Sequence, residues 1–553
     1  VPNLNVGSYL AEAARERPFK KAVIAPSERF DSAGRMLYTH LTFQQLDKLS
    51  NAFARGLSAY GVERGMKILL FVKPGLDFYA LAYGLFKIGA VPVLIDPGMG
   101  RSSFLECIES IAPEGLIGIP KAHIARLLFR RYFRSLRFLV TAGNRKFWGG
   151  KLLSEIIHPD SSEFMPVETG SRDLAAIVFT TGSTGVPKGV CYFHEQMRGQ
   201  VEAIRTEYQI NDSDVDFPIF PLFGLFSTAW GITSVIPDMD PTKPAQADPE
   251  KIIRGVIDNG VTMSIGSPVM WGKIAAYCAA ENISFPSVRR ILMVGAPVRH
   301  QVLSDFEKIL PTGVAYTPYG ATEALPIANI SGAEILKSTS QQSRQGRGTC
   351  VGRPFPGVSF SIMPVTDEQV SNFSDIKMLS SGEIGEVLVA GPMVTREYFE
   401  NEKATSLAKV YEGEKVWHRM GDVGWLDKDG RLWFCGRKAH RVEALNKTFF
   451  SVCCEAIFNN HEKVYRSALV GVTVKGKKLP LIVIELKPEY YGACREHESS
   501  FRSEMQDVAK QSPLTADIEL VLFHPSFPVD IRHNAKIFRE KLAVWAQGIM
   551  DRG

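Results

Sequence analysis

Hydrophobic positions follow two different spacings along the first hundred residues. Thr42-Phe43-Gln44-Gln45 sets a hydroxyl three residues ahead of an amide just before an apolar run, the pattern of a capping box that opens a helix. Phe43, Leu46, Leu49, Phe53 and Leu57 then recur at three- and four-residue steps and form one apolar face. Residues 66–72 (MKILLFV) make an apolar run of strand length, 77–88 read as a helix, and 90–95 (AVPVLI) as a second buried strand. The same alternation returns at 173–180, 261–265 and 290–294, with helical stretches between. Continuously apolar strands separated by helices predict α/β layers built on parallel sheets. Past residue 382 the texture changes. Residues 382–389 and 430–436 read as strands bounded by turns and predict an antiparallel, β-rich piece. A smaller α+β unit of just over a hundred residues is expected from 437 onward. The expected organisation is therefore a large N-terminal α/β domain with a β-rich subdomain, 1–436, and a small mobile C-terminal domain, 437–553, joined near 436–440.

Composition narrows the class without choosing a function. A chain of 553 residues exceeds what one hydrophobic core organises. Its 45% apolar and 22% charged residues are those of an ordinary globular protein. The net charge of +5 makes no case for a nucleic-acid partner. The eight cysteines show no CxxC pair and no metal-ligand spacing, as expected of reduced thiols in a cytoplasmic protein. No apolar run reaches the roughly 18 residues a membrane span needs, and no signal-peptide pattern opens the sequence, which begins at Val1 and reads as trimmed at its start. One local feature departs from the average: residues 126–138 (RLLFRRYFRSLRF) interleave five arginines with Leu, Phe and Tyr. They read either as a solvated amphipathic helix or as a contact surface for a partner protein or anionic lipid.

The strongest chemical signal is Thr180-Thr181-Gly182-Ser183-Thr184-Gly185-Val186-Pro187-Lys188-Gly189, directly after an apolar strand. Glycines let backbone approach an anion closely, hydroxyls and N–H groups bond phosphate oxygens, and a lysine supplies charge. The spacing is not that of a P-loop NTPase, because Lys188 is followed by Gly and the two glycines stand only three apart.

This segment resembles the phosphate-binding signature of the AMP-forming acyl-adenylate superfamily. The resemblance extends through Gly295-Ala296-Pro297, Tyr319-Gly320-Ala321-Thr322-Glu323, Gly421-Asp422-Val423-Gly424, Gly436-Arg437 and Lys536-Ile537-Phe538-Arg539. It implies ATP and Mg²⁺ and a role for each motif. Ser183, Thr184 and Lys188 would hold the triphosphate, with Thr180, Thr181 and Gly182 in the same ATP-binding segment. Gly295, Ala296 and Pro297 would lie against adenine, on which Tyr319 would stack, with Gly320 next to it also in the nucleotide site. Thr322 would bond the α-phosphate and Glu323 would hold Mg²⁺. Asp422 would accept both ribose hydroxyls, with Arg437 beside it, and Lys536 would bridge carboxylate and phosphate as charge shifts. His194 reads as a packing or orienting histidine, or as a proton carrier. Phe223, Gly224 and Gly266 would line the acyl pocket.

Two departures from the CoA-ligase pattern bear on the step after adenylation, and a third lies in the lysine motif itself. In Phe220-Pro221-Leu222-Phe223-Gly224-Leu225-Phe226, Gly224 stands where His or another aromatic is usual, and the missing ring is expected to open space beside the reactive carbonyl. After Gly436-Arg437 the usual hinge Asp, Lys and Gly are replaced by His440, Glu443 and Asn446. Ahead of Lys536, the stretch from Pro528 is two residues longer than usual and carries Ala535 for Gly. With the Asp96–Arg101 loop, these features look most like the OleC-type β-lactone synthetase branch of bacterial olefin biosynthesis. That branch implies adenylation of a long-chain 2-alkyl-3-hydroxyalkanoic acid, then attack of its own 3-hydroxyl on the acyl carbon to close a β-lactone. It also implies association with other olefin-pathway enzymes, for which the basic 126–138 stretch is the expected surface. A long-chain acyl-CoA ligase or acyl-AMP ligase shares every adenylation motif and is the alternative.

Overall fold

The computed structural model describes residues 3–144, 147–180, 187–529 and 537–552. The helix Phe43–Ala59 starts at the expected capping box: Gln45 N donates to Thr42 Oγ1 at 3.2 Å and Thr42 N to Gln45 Oε1 at 2.9 Å. Phe43, Leu46, Phe53 and Leu57 are buried, with Leu49 partly so. They pack in one core with the helix Leu76–Ile88, in which every residue from Phe78 to Ile88 is buried. A helix enclosed on all sides needs cover on all sides. Two sheets supply it: Ile68, Leu70 and Ile117 from one, Val23, Met263 and Leu292 from the other, join the same core. The one charge in that helix's interior stretch, Lys87, is fully enclosed and is matched by Asp47 at 2.6 Å, Ser50 at 2.7 Å and Asn51 at 2.6 Å, as a buried ammonium requires.

The first sheet runs, in spatial order, Lys151–Leu152, Phe138–Thr141, Gly115–Gly118, Lys67–Phe71, Val91–Leu94, Leu174–Thr180 and Lys188–Phe193. The second runs Val314–Tyr316, Arg290–Met293, Met263–Gly266, Val215–Asp216, Thr233–Val235, Lys21–Phe30 and Met36–Thr42. Both are parallel, as the continuous apolar runs predict, except that each ends in one antiparallel pair. The β-rich piece is an eight-stranded sheet that includes Gly385–Ala390, Lys415–Leu426 and Leu432–Arg437, and every pairing in it is antiparallel.

The basic stretch is not one helix. The helix Pro120–Leu128 ends inside it, a short 3₁₀ turn Arg130–Phe133 follows, and Phe138 already begins a strand. Its apolar residues turn inward: Phe133 is buried, and Phe129, Tyr132 and Leu136 pack against the same cluster under the first sheet.

Beyond Arg437 the chain makes a turn, Lys438–His440, and a hairpin, Val442–Ala444 with Lys447–Phe449. It then forms a three-stranded sheet of Val464–Val474, Lys477–Leu486 and Leu520–Phe523. The helices Ser451–Asn459 and Glu498–Lys510 pack with this sheet in one core, and Arg539–Met550 with it in a second. The turn is anchored on both sides. Lys438 Nζ lies 3.1 Å from the buried Glu386 carboxylate, Arg441 pairs with Asp367 at 2.7 Å, and His440 Nε2 lies 3.1 Å from Glu540. Leu445 and Asn446 form the hairpin's two-residue loop with φ of +55° and +56°. Asn tolerates this left-handed conformation, so its exchange for the usual Gly preserves the turn.

Candidate active site

In an open α/β sheet, ligands bind outside the carboxyl ends of the strands. The second sheet sends its predicted site residues there. Phe223 and Gly224 follow Val215–Asp216, Gly266 ends its own strand, Gly295, Ala296 and Pro297 follow Arg290–Met293, and Tyr319 and Gly320 follow Val314–Tyr316. Gly295 has φ of +92°, which favours glycine, and Val294 N donates to Gly266 O at 3.0 Å, tying two of these loops together. In the first sheet the backbone of Thr180 ends its strand directly opposite Lys188 in the antiparallel pair, so the segment between them leaves and returns at adjacent positions. Thr181, Gly182, Ser183 and Thr184, and also Lys536, lie outside the described residues.

The remaining predicted residues converge where the two antiparallel hairpins of the β-rich sheet meet the first sheet. Asp422 and Arg437 are cross-strand partners, and Arg437 Nη1 lies 3.0 Å from Asp422 Oδ1. Tyr319 Oη donates to the other carboxylate oxygen of Asp422. Burial pushes the Asp422 carboxyl up, against the opposite pull of Arg437 and Tyr319. Burial and the neighbouring carboxylate together push the Tyr319 phenol well above its ordinary value. The Arg437 guanidinium is raised by Asp422 itself.

Thr322 and Glu323 sit at the tip of the hairpin formed by Tyr319–Ala321 and Ala324–Asn329. That tip is clamped from three sides. Tyr192 Oη donates to Thr322 O at 2.7 Å, Thr395 N and Oγ1 donate to Glu323 O at 2.9 and 3.0 Å, and Tyr398 Oη donates to Glu323 Oε1 at 2.7 Å. Lys188 Nζ lies 4.9 Å from the centre of the Tyr398 ring. Behind the tip the fully buried Lys409 donates to Thr395 O at 2.6 Å and to Thr395 Oγ1 at 3.2 Å. Burial pushes this ammonium down to about 7, with Glu323 the strongest influence favouring its charged form.

Tyr192, Thr395, Tyr398 and Lys409 escape sequence reasoning. Each acts through a contact with the 322–323 tip or with its support, and the Tyr398–Glu323 bond spans 75 residues. No local spacing marks any of them.

The surroundings of Gly224 differ from the expected open space, and those of His194 match a packing role. Gly224 does not open a void on the side where a ring would project. A Cβ there would lie 1.8 Å from Tyr79 Oη, 2.7 Å from Tyr79 Cζ and 2.9 Å from Ser234 Oγ. Tyr79, from the enclosed helix Leu76–Ile88, fills that volume and shares a 2.9 Å hydrogen bond with Ser234. The small residue at 224 therefore admits a tyrosine from the core. His194 starts the helix His194–Glu207 almost fully buried, and its Nδ1 accepts the Val6 backbone N–H at 3.1 Å. Burial pushes the imidazole down to about 4, so it is neutral at physiological pH. Its ring packs edge-on against Phe86, and its hydrogen bond runs to the N-terminal segment rather than to the Glu323–Asp422 cluster.

A phenol, a carboxylate and a guanidinium in one buried group, beside a clamped Thr-Glu tip and a lysine, can bind a polyhydroxylated, anionic ligand. The comparisons agree with this chemistry. The model of the AMP-binding enzyme family matches residues 10–399. An olefin beta-lactone synthetase of Xanthomonas campestris is 42% identical over 98% of this chain and 97% of that protein. A protein of the same name from Stenotrophomonas maltophilia is 42% identical over 99% of both chains. Among solved structures, the amide bond synthetase McbA from Marinactinospora thermotolerans superposes with a TM-score of 0.78 at 20% identity, covering 98% of this chain and 99% of that one, a likeness of fold. The chain belongs to the AMP-binding enzyme family.

Proposed function

We propose that the protein is an olefin β-lactone synthetase that uses ATP to activate a long-chain 2-alkyl-3-hydroxyalkanoic acid and then closes its β-lactone. The observation that carries this reading is 42% identity over essentially the whole chain to two proteins of that name. In the first half-reaction a carboxylate oxygen attacks the α-phosphorus of ATP and pyrophosphate leaves. In the second, the substrate's 3-hydroxyl oxygen attacks the acyl carbon, the bond from that carbon to the AMP oxygen breaks, AMP leaves, and the hydroxyl proton is released. The nucleophile is part of the same molecule, so closure gains from proximity and needs no second substrate.

The roles follow from the chemistry of each group. Asp422 offers carboxylate oxygens to the ribose hydroxyls, and Arg437 and Tyr319 hold it in place. Tyr319 stacks on adenine beside the 295–297 and 320 backbone. Thr322 and Lys188, with the hydroxyls at 180, 181, 183 and 184, bond the phosphates, and Lys536 balances charge between carboxylate and α-phosphate. Among the described residues no cluster of three or more His, Cys, Asp or Glu exists to hold a metal alone. Glu323 has one oxygen engaged by Tyr398, and no hydrogen bond to a described residue holds the other. That suits Mg²⁺, which binds through one or two carboxylates together with phosphate oxygens and water. When bound, the ion would neutralise phosphate charge. The 1–436 unit supplies the nucleotide and acyl sites, and the mobile 437–553 unit brings Lys536 to them.

The test is incubation with ATP, Mg²⁺ and a long-chain 2-alkyl-3-hydroxy acid without any thiol, followed by measurement of AMP, pyrophosphate and lactone. Lactone and AMP in equal amounts are expected. Inertness toward the hydroxy acid, with turnover of a plain fatty acid only when CoA is added, would overturn the proposal in favour of an acyl-CoA ligase.

A further inference from the structure

Residues 120–151 hold nine lysines and arginines, at positions 121, 126, 130, 131, 134, 137, 145, 146 and 151, and no aspartate or glutamate. The chain as a whole carries only +5, so the remainder is net acidic and the positive charge is gathered here. Arg101, Arg130, Arg131, Arg134 and Arg137 are exposed, and none forms an ion pair among the described residues.

Apolar side chains stand among these charges. The helix Pro120–Leu128 presents Ile124, Leu127 and Leu128 on one face, with Ile124 48% and Leu128 72% exposed. Leu127 and Leu128 line an open groove of about 760 Å³ together with Arg101, Phe129, Arg130 and Arg131. Phe147, 86% exposed, is joined to the same helix through Trp148, whose ring stacks on His123 at 5.3 Å and whose carbonyl accepts from Arg126 at 3.0 Å.

We infer that this face docks the protein on an anionic lipid bilayer. Clustered arginines are attracted to an acidic headgroup layer, and exposed leucine, isoleucine and phenylalanine gain by entering its apolar boundary. The pairing of both features on one short helix and the turn after it favours a membrane over a nucleic acid, which would use the charge and leave Leu128 in water. Among the described residues no helix is long and apolar enough to cross a membrane, so the contact is peripheral. The inference stands independently of the reaction catalysed.

The experiment is co-sedimentation of the full chain with vesicles of pure phosphatidylcholine and of an equal mixture with phosphatidylglycerol, across a salt series. Binding to the anionic vesicles alone, weakening as salt rises, is expected. The variant Arg130→Glu/Arg131→Glu/Arg134→Glu should bind about tenfold more weakly or worse, with its circular-dichroism melt unchanged. Leu128→Ser, which alters no charge, should also weaken binding. Failure of the wild-type chain to sediment with anionic vesicles overturns the assignment, as does equal sedimentation of the charge-reversed variant. A chain that ignores vesicles yet binds poly-glutamate would identify an acidic protein as the partner instead.

Discussion

Replacing Gly224 by alanine separates two accounts of the segment proposed to line the acyl pocket. Gly224 has φ −63° and ψ −20°, ordinary helical values, so alanine there suffers no backbone strain. On helix propensity alone the change would stabilise the protein by up to about 1 kcal/mol. The steric effect is opposite and larger. The new methyl would fall 1.8 Å from Tyr79 Oη. Tyr79 cannot swing aside cheaply, because it is 1% exposed, its ring meets Phe78 edge-on at 5.7 Å, and its hydroxyl is bonded to Ser234. Overpacking of this kind costs about 1–3 kcal/mol, and loss of the Tyr79–Ser234 bond adds about 0.5–1.5 kcal/mol. Set against the propensity gain, the net destabilisation expected is about 2 kcal/mol.

A double-mutant cycle read by urea unfolding identifies the cause. Tyr79→Phe alone should cost about 1 kcal/mol, the worth of one neutral hydrogen bond. In that background Gly224→Ala should cost at least about 1 kcal/mol less than in the wild type, because the atom at 1.8 Å is gone and the nearest that remain are the ring carbon at 2.7 Å and Ser234 Oγ at 2.9 Å. Acyl-chain preference should change little in the double variant. The reasoning is refuted if Gly224→Ala keeps wild-type stability and instead shifts the acyl-chain preference, for then the methyl points into substrate space and not toward Tyr79.

Three further outcomes are expected. Asp422→Asn should weaken AMP binding at least about tenfold by calorimetry, since it removes charge-assisted hydrogen bonds worth about 1.5–3 kcal/mol each, and an unchanged affinity would remove Asp422 from the ribose site. His194, lowered to about 4 in the folded protein, takes up its proton first in the unfolded chain. Its share of stability, up to about 3 kcal/mol, is therefore complete above the ordinary 6.5 and lost as pH falls toward 4. His194→Gln should flatten that slope in urea midpoints, and a catalytic His194 would show itself as loss of turnover at pH 8 with stability intact. Lys409 titrates at about 7 when folded and 10.5 when unfolded, so stability should rise with pH through that window by a few kcal/mol. Lys409→Met should abolish the rise, and an identical slope in variant and wild type would refute the buried-ammonium account.

Legibility in the sequence divides along the range of the interactions. The capping box at Thr42 and the apolar runs at 67–71 and 91–94 are set by neighbours within a few positions, so the spacing of residues reports them directly. Asp422 and Arg437 are legible as motifs, and their union needs only that one turn return the chain in antiparallel register. Tyr398 and Lys409 obey no such rule. Their meaning comes from lying against Glu323 and Thr395, and only the packed fold puts a phenol and a buried ammonium there. Gly224 shows the same limit from the other side. A missing ring is visible in the sequence, but its consequence depends on which remote residue takes the vacated volume, and Tyr79 does. The expectation of open space failed because protein interiors are close-packed, so a small residue in a core more often marks a large neighbour than a void. Gly266 meets the same rule: a Cβ there would lie 2.7 Å from Trp271 Nε1 and 2.8 Å from Ile219 Cγ1, so it too is small because its neighbours are large.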